Sequence, residues 1–105
     1  RDDGYRIEVR EEASPRRLAL AGQIDLRAAL RLRTGAERLA AEPGDLAIDW
    51  SEAEYVGAAA VQALLALAAA LERRGDSVRV TGDNPSVRRF LELAGLTDRL
   101  PAGPQ

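Results

Sequence analysis

The chain has 105 residues, with 15 Arg and no Lys against 17 Asp plus Glu, a net charge of −2, and no His, Cys or Met. These absences exclude disulfides, thiolate nucleophiles and Cys-type zinc sites, and they remove the usual general base, a Schiff-base lysine and a P-loop lysine. The charge balance gives no reason to expect a nucleic-acid partner, and 46% hydrophobic with 30% charged residues is a globular composition.

Tyr5, Ile7 and Val9 alternate with Arg6, Glu8 and Arg10, which predicts a half-buried strand. Glu11 to Pro15 reads as a turn. Leu18 to Ala21 then form a second strand, the hairpin partner of the first, ended by Gly22. Asp25 stands where a helix N-cap belongs. The first helix is predicted over Leu26–Ala41, with Leu26, Ala29, Leu30, Leu32, Ala36 and Leu39 on its apolar face. Arg27, Arg31 and Arg38 fall on a solvated side, and Pro43 and Gly44 end the helix. Leu46–Trp50 reads as a short strand covered on both faces, and Ser51–Tyr55 as a connection. A second helix begins near Ala58 and ends around Arg73 to Gly75. Ser77–Thr81 is a further strand, and Gly82 and Asp83 turn the chain. Asn84 caps a third helix with Pro85 at its first position. Val87, Phe90, Leu91 and Ala94 have the spacing of a buried stripe, and Gly95 stops the helix.

The order ββαβαβα predicts an α/β fold: an initial hairpin, then βα units, in a mixed sheet covered by helices. Three loops, Gly22–Asp25, Ser51–Gly57 and Gly82–Ser86, are expected to converge at the carboxyl ends of the strands. The whole chain, 1–105, reads as one domain with its core at about 5–100 and a tail at 101–105. The apolar run Tyr55–Leu71 is Ala-rich and flanked by strand patterns, so it reads as a soluble helix and not as a membrane span. Residues 1–12 are mostly charged, without a signal peptide, which points to the cytoplasm. The lack of Met suggests a domain cut from a longer product.

The second helix carries the main signal. Val61, Leu64, Leu65, Ala68 and Leu71 form a core stripe. A surface helix should then be polar elsewhere. Here Ala59, Ala63, Ala66 and Ala70 make a second stripe of small side chains, and Gln62 is the only polar group before Glu72. Alanine is a good helix former, which is one explanation. The other is a flat apolar docking face for a protein partner.

Five segments in this order resemble a STAS domain: Leu18 to Asp25, Ala47 to Ser51, Tyr55 to Val61, Leu64 to Leu67, and Val80 to Leu96. This is the fold of anti-sigma factor antagonists and of sulfate-transporter tails. In phosphorylated members an Asp-Ser-Ser-Gly or Asp-Ser-Thr-Gly tetrad lies eight residues after the strand Asp. Counting from Asp49 reaches Gly57-Ala58-Ala59-Ala60. The phosphoacceptor position is therefore Ala58, which has no hydroxyl. The resemblance implies an interaction module whose partner is an anti-sigma factor, a serine-kinase-like protein or a related ATPase. It implies partner binding through Asp25, Ser51, Gly57, Ala58, Ala59, Gln62, Ala63 and Ala66, without phosphorylation at Ala58. A STAS protein of a chemotaxis-associated system, or the STAS subunit of an ABC-type lipid-transport ATPase complex, is the alternative.

An enzyme is the competing class. Asp49, Glu52 and Glu54 are the only clustered carboxylates near a strand end, and acid–base work needs a positioned pair. Asp49 is expected to bond loop backbone and the two glutamates to be solvated. The sequence therefore predicts no catalytic residue, no metal ligand and no cofactor, and it holds no phosphate-binding fingerprint.

Overall fold

The computed structural model describes residues 4–95, without the side chains of Phe90 and Ala94. Its elements are β1 (Tyr5–Arg10), β2 (Arg16–Ile24), α1 (Leu26–Ala41), β3 (Leu46–Val56), α2 (Ala58–Arg73), β4 (Val78–Thr81) and α3 (Pro85–Ala94). This is the ββαβαβα order read from the sequence. The strands form one sheet in the order β1-β2-β3-β4. β1 is antiparallel to β2, β3 is parallel to β2, and β4 is parallel to β3. The β2-α1-β3 and β3-α2-β4 connections advance the same way across the sheet, and α1 and α2 pack into one core with it, as two crossovers of the usual right hand would place them.

That face is apolar. Leu18, Leu20 and Ile24 of β2, Leu46, Ile48 and Trp50 of β3, and Val78 and Val80 of β4 are buried beneath Leu32 and Leu39 of α1 and Val61, Leu64 and Leu71 of α2. Val87 and Leu91 of α3 join the same core. Among the described residues the other face is open and polar: Ala47 and Asp49 are half-buried, and Arg6, Glu8, Arg17, Ser51 and Glu52 are exposed. β3 is thus covered on one face, not on both as its apolar run suggested.

β3 is also longer than the sequence implies. The segment 51–55, expected to be a connection, is its second half. Two irregularities explain the difference. Asp49 to Glu52 lies opposite Ala19 to Ala21, and Ala53 to Tyr55 lies opposite Gly22 to Gln23, so β3 carries an extra residue at each place. The bulges break the two-residue alternation, leaving Trp50, Ala53 and Val56 buried three apart. Gly22 does not end β2. It sits inside the strand at φ +81°, where a Cβ would lie 2.4 Å from the Gly4 carbonyl oxygen. Only glycine fits that close approach, and the strand runs on to Ile24.

Asp25 caps α1 as expected, its Oδ1 accepting the Ala28 N–H at 3.1 Å. The apolar face of α1 is turned from the predicted one. Ala28 is fully buried, while Leu26 and Leu30 are 66% and 58% exposed. In α2, Ala60 and Leu67 are buried and Leu65 only half-buried, so its core stripe is rotated toward α1. Asn84 caps α3 with Pro85 at the first turn, and Gly95 ends it in the left-handed conformation. Of the predicted α3 stripe, Val87 and Leu91 are buried. The Phe90 and Ala94 side chains, Leu96 and the expected tail at 101–105 lie outside the described residues.

Candidate functional site

α1 and α2 run side by side, each starting at the carboxyl end of a parallel strand. Their small facing residues leave an apolar groove of about 530 Å³. Leu26, Ala29, Leu30, Arg33, Ala36, Glu37 and Ala40 line it from α1, and Ala59, Gln62, Ala63, Ala66, Leu67 and Ala70 from α2. The second stripe of α2 therefore borders a surface depression. Ala59 and Ala66 are exposed, and Ala63 and Ala70 are half-buried against α1.

The groove opens at the N-terminus of α2. Gly57 is its N-cap and offers no side-chain hydrogen bond. The Gly57 N–H donates to the Ile24 carbonyl at 3.0 Å, which joins the start of α2 to the start of α1. Gly57 is buried, and a Cβ there would lie 3.1 Å from the Tyr55 hydroxyl. Tyr55, 51% exposed, thus stands over the helix start beside Ala58 and Ala59, both of which are exposed. An unsatisfied helix N-terminus carries partial positive charge, and the two residues that present it here are apolar.

The structure brings together Gly57, Ala58, Ala59, Gln62, Ala63 and Ala66 on the outer side of one helix. Asp25 is adjacent, across the Gly57–Ile24 bond, but its carboxylate is engaged in capping α1 and lies 3.7 Å from Arg27. Ser51 lies elsewhere. It lines a polar cleft of about 410 Å³ on the opposite face of the sheet, with Arg6, Arg10, Arg17, Asp49 and Glu52. There the Ser51 hydroxyl donates to Asp49 Oδ1 at 2.8 Å and its N–H donates to the same oxygen at 3.0 Å. Burial alone would raise the Asp49 carboxyl. The two bonds from Ser51 and the charge of Arg17 outweigh it and hold the group below the usual carboxylate range.

The expected convergence of three loops is correspondingly divided. The ends of β2 and β3 meet at Gly57. β4 stops early, at Thr81 opposite Asp49, so Gly82 lies against Ser51 and Asp49 instead. The carboxylates Asp49, Glu52 and Glu54 do not form an acid–base pair. Asp49 pairs with Arg17, Glu52 with Arg6, and Glu54 accepts from Gln23. No cluster of metal-ligating side chains occurs among the described residues. Sequence reasoning missed Tyr55, Leu26 and Leu30 as surface groups. Nothing local in the sequence turns Tyr55 back over the start of α2, and the two leucines fit an apolar stripe too wide for one buried face.

The chain matches the family model described as "Mlab, STAS domain" over residues 7–102. It belongs to the STAS domain family. The crystal structure of an anti-sigma factor antagonist from Mycobacterium paratuberculosis is similar to it, with a TM-score of 0.81 and 25% identity over 100% of this chain and 90% of that one. The anti-sigma factor antagonist SpoIIAA in its unphosphorylated form has a TM-score of 0.78 at 14% identity, covering 95% of this chain and 90% of that one. The phosphorylated form of the Bacillus cell fate determinant SpoIIAA has a TM-score of 0.71 at 12% identity, covering 95% and 93%. The two SpoIIAA structures establish likeness of fold. A comparison with curated protein sequences finds no match. Among the described residues no helix is long and apolar enough to cross a membrane.

Proposed function

We propose that this chain is a non-catalytic interaction module, a single domain that acts in the manner of an anti-sigma factor antagonist in the cytoplasm. Its partner is an anti-sigma factor or a serine-kinase-like or related ATPase domain. The docking face is the start and outer side of α2: Gly57, Ala58, Ala59, Gln62, Ala63 and Ala66, with Asp25 at its border. Ser51 belongs to the contact only if the partner reaches round the sheet edge. The observation that carries this reading is the exposed, hydroxyl-free N-terminus of α2 beside an apolar groove. A phosphate there would add about −1.5 to −2 charges and repel an acidic partner. With Ala58 and Ala59 the face stays apolar, so the module binds at all times or is controlled through its partner.

A second reading is a STAS subunit clamping an ABC-type transport ATPase. The missing hydroxyl favours it, because a permanent subunit needs no phosphate switch.

Ala58→Asp tests the docking face. The carboxylate meets the positive helix end, which contributes about 0.3–1 kcal/mol. The poorer helix propensity of Asp offsets up to about 0.7 kcal/mol. Stability should stay within about 0.5 kcal/mol of the parent in denaturant melts. Titration calorimetry against the partner should show more than roughly tenfold weaker binding, since an unpaired charge in an interface costs at least about 2 kcal/mol. Unchanged affinity would remove the N-terminus of α2 from the interface.

A further inference from the structure

The groove between α1 and α2 holds one cation and one anion, Arg33 and Glu37, both exposed. Neither takes an ion-pair partner among the described residues. They are four apart on α1 with the arginine first, the less favourable order for pairing within a helix. Leu26 and Leu30 stand beside them, 66% and 58% exposed. Large exposed apolar side chains around a groove mark an interaction surface.

We propose that this groove is closed by a second copy of the same chain, with the two α1 helices antiparallel about a two-fold axis midway along the helix between Arg33 and Glu37. Such an interface is self-complementary: if position 33 meets position 37, then 37 meets 33. Each Arg33 then faces the other copy's Glu37, and two reciprocal ion pairs form where one copy alone forms none. The same reversal brings the protruding Leu30 onto Ala40, a small half-buried residue of the groove wall. The alanines of α2 leave room for that leucine to enter. The lining is electrically neutral, so two copies do not repel. A wholly acidic or wholly basic partner surface would leave Arg33 or Glu37 facing a like charge. Occupied in this way, the groove withholds Ala59 and Ala66 from another protein. That consequence rests on the function proposed above; the self-association does not.

The test uses the whole chain alone, in sedimentation velocity over a wide concentration range, with circular dichroism to check folding. The parent should show a monomer–dimer equilibrium. Arg33→Glu or Glu37→Arg alone should weaken it about tenfold, by turning two exposed attractions into repulsions. The double variant Arg33→Glu with Glu37→Arg should restore it. Leu30→Asp should give monomer throughout. All these positions are exposed, so the variants should melt with the parent at concentrations where the parent is monomeric. A parent that is monomeric at every concentration leaves the groove to a different protein and overturns the proposal. So does a dimer that ignores the single reversals or is not restored by the double one. Neither result bears on the Ala58→Asp measurement, so the two readings fail separately.

Discussion

Asn84 performs two tasks with one amide. Its Oδ1 accepts the Val87 N–H to cap α3, and its Nδ2 donates to the carbonyls of Trp50 and Ala53 at 2.7 and 2.8 Å. The residue is buried. Asn84→Ala therefore removes a cap, worth about 1 kcal/mol, and leaves buried carbonyls without a donor, at about 1–3 kcal/mol. A total loss of roughly 2–4 kcal/mol is expected from urea unfolding of the variant. Asn84→Asp should keep the cap and lose the donor, and so fall between parent and Ala. The capping role was legible from Asn84-Pro85. The link to β3 was not, because nothing local in the sequence shows that Trp50 and Ala53 turn their carbonyls toward α3. Ala58 was legible in a different way: its position came from counting along a family pattern, and its exposure is a matter of packing.

At the scale of elements, the two helices that flank the groove are held differently. The carbonyls at the end of α1 and just beyond it receive two guanidinium groups. Arg16 donates to Leu39 at 2.9 Å and to Gly44 at 2.6 Å, and Arg74 donates to Ala40 and Glu42. Positive charge at the negative end of a helix is favourable, and here it also ties α1 to β2 and to the end of α2. The start of α2 is tied by the backbone bond from the Gly57 N–H to the Ile24 carbonyl and has no side-chain cap. Its outer stripe can therefore be altered without touching the core. Ala66→Arg should change stability by no more than about 0.5 kcal/mol and should abolish binding of the partner in calorimetry. A large fall in melting temperature would instead place Ala66 in the packed interior. Helix positions were well marked by Asp25, Asn84 and Gly95. Which side of each helix faces inward was marked less well, because on chains this rich in Ala and Leu nearly every side is apolar enough to be buried. β3 was the least legible element: its bulges replace the alternation that identifies a strand.

For the molecule as a whole, composition sets the response to pH. With no His and no Cys, the chain lacks the side-chain types whose ordinary values fall between roughly pH 6 and pH 9. The urea midpoint should be flat across that range. Asp49 is held below its ordinary value despite partial burial by Ser51 and Arg17, and Asp76 by the hydrogen bond from Arg74 and the Gly44 N–H. Both carboxylates stabilise the fold when ionised. Their contribution is complete above the unfolded value of about 4 and is lost as pH falls through the lower folded value. Acid titration of the urea midpoint should decline below about pH 4, and Asp49→Asn should decline less steeply there. An equal slope in the variant would show that the polar cleft adds nothing to acid sensitivity.

The mismatch in length between β3 and β4 has a further consequence. β4 pairs with Leu46 to Asp49 and stops, while β3 continues to Val56. Past that point, among the described residues, β3 has no neighbouring strand on the β4 side, and a bare strand edge is a template on which a foreign strand can add. The amide of Asn84 occupies the carbonyls of Trp50 and Ala53, and the bulge after Asp49 spoils the regular spacing of the remainder. The side chain that caps α3 thereby covers this stretch of the β3 edge against the addition of a strand.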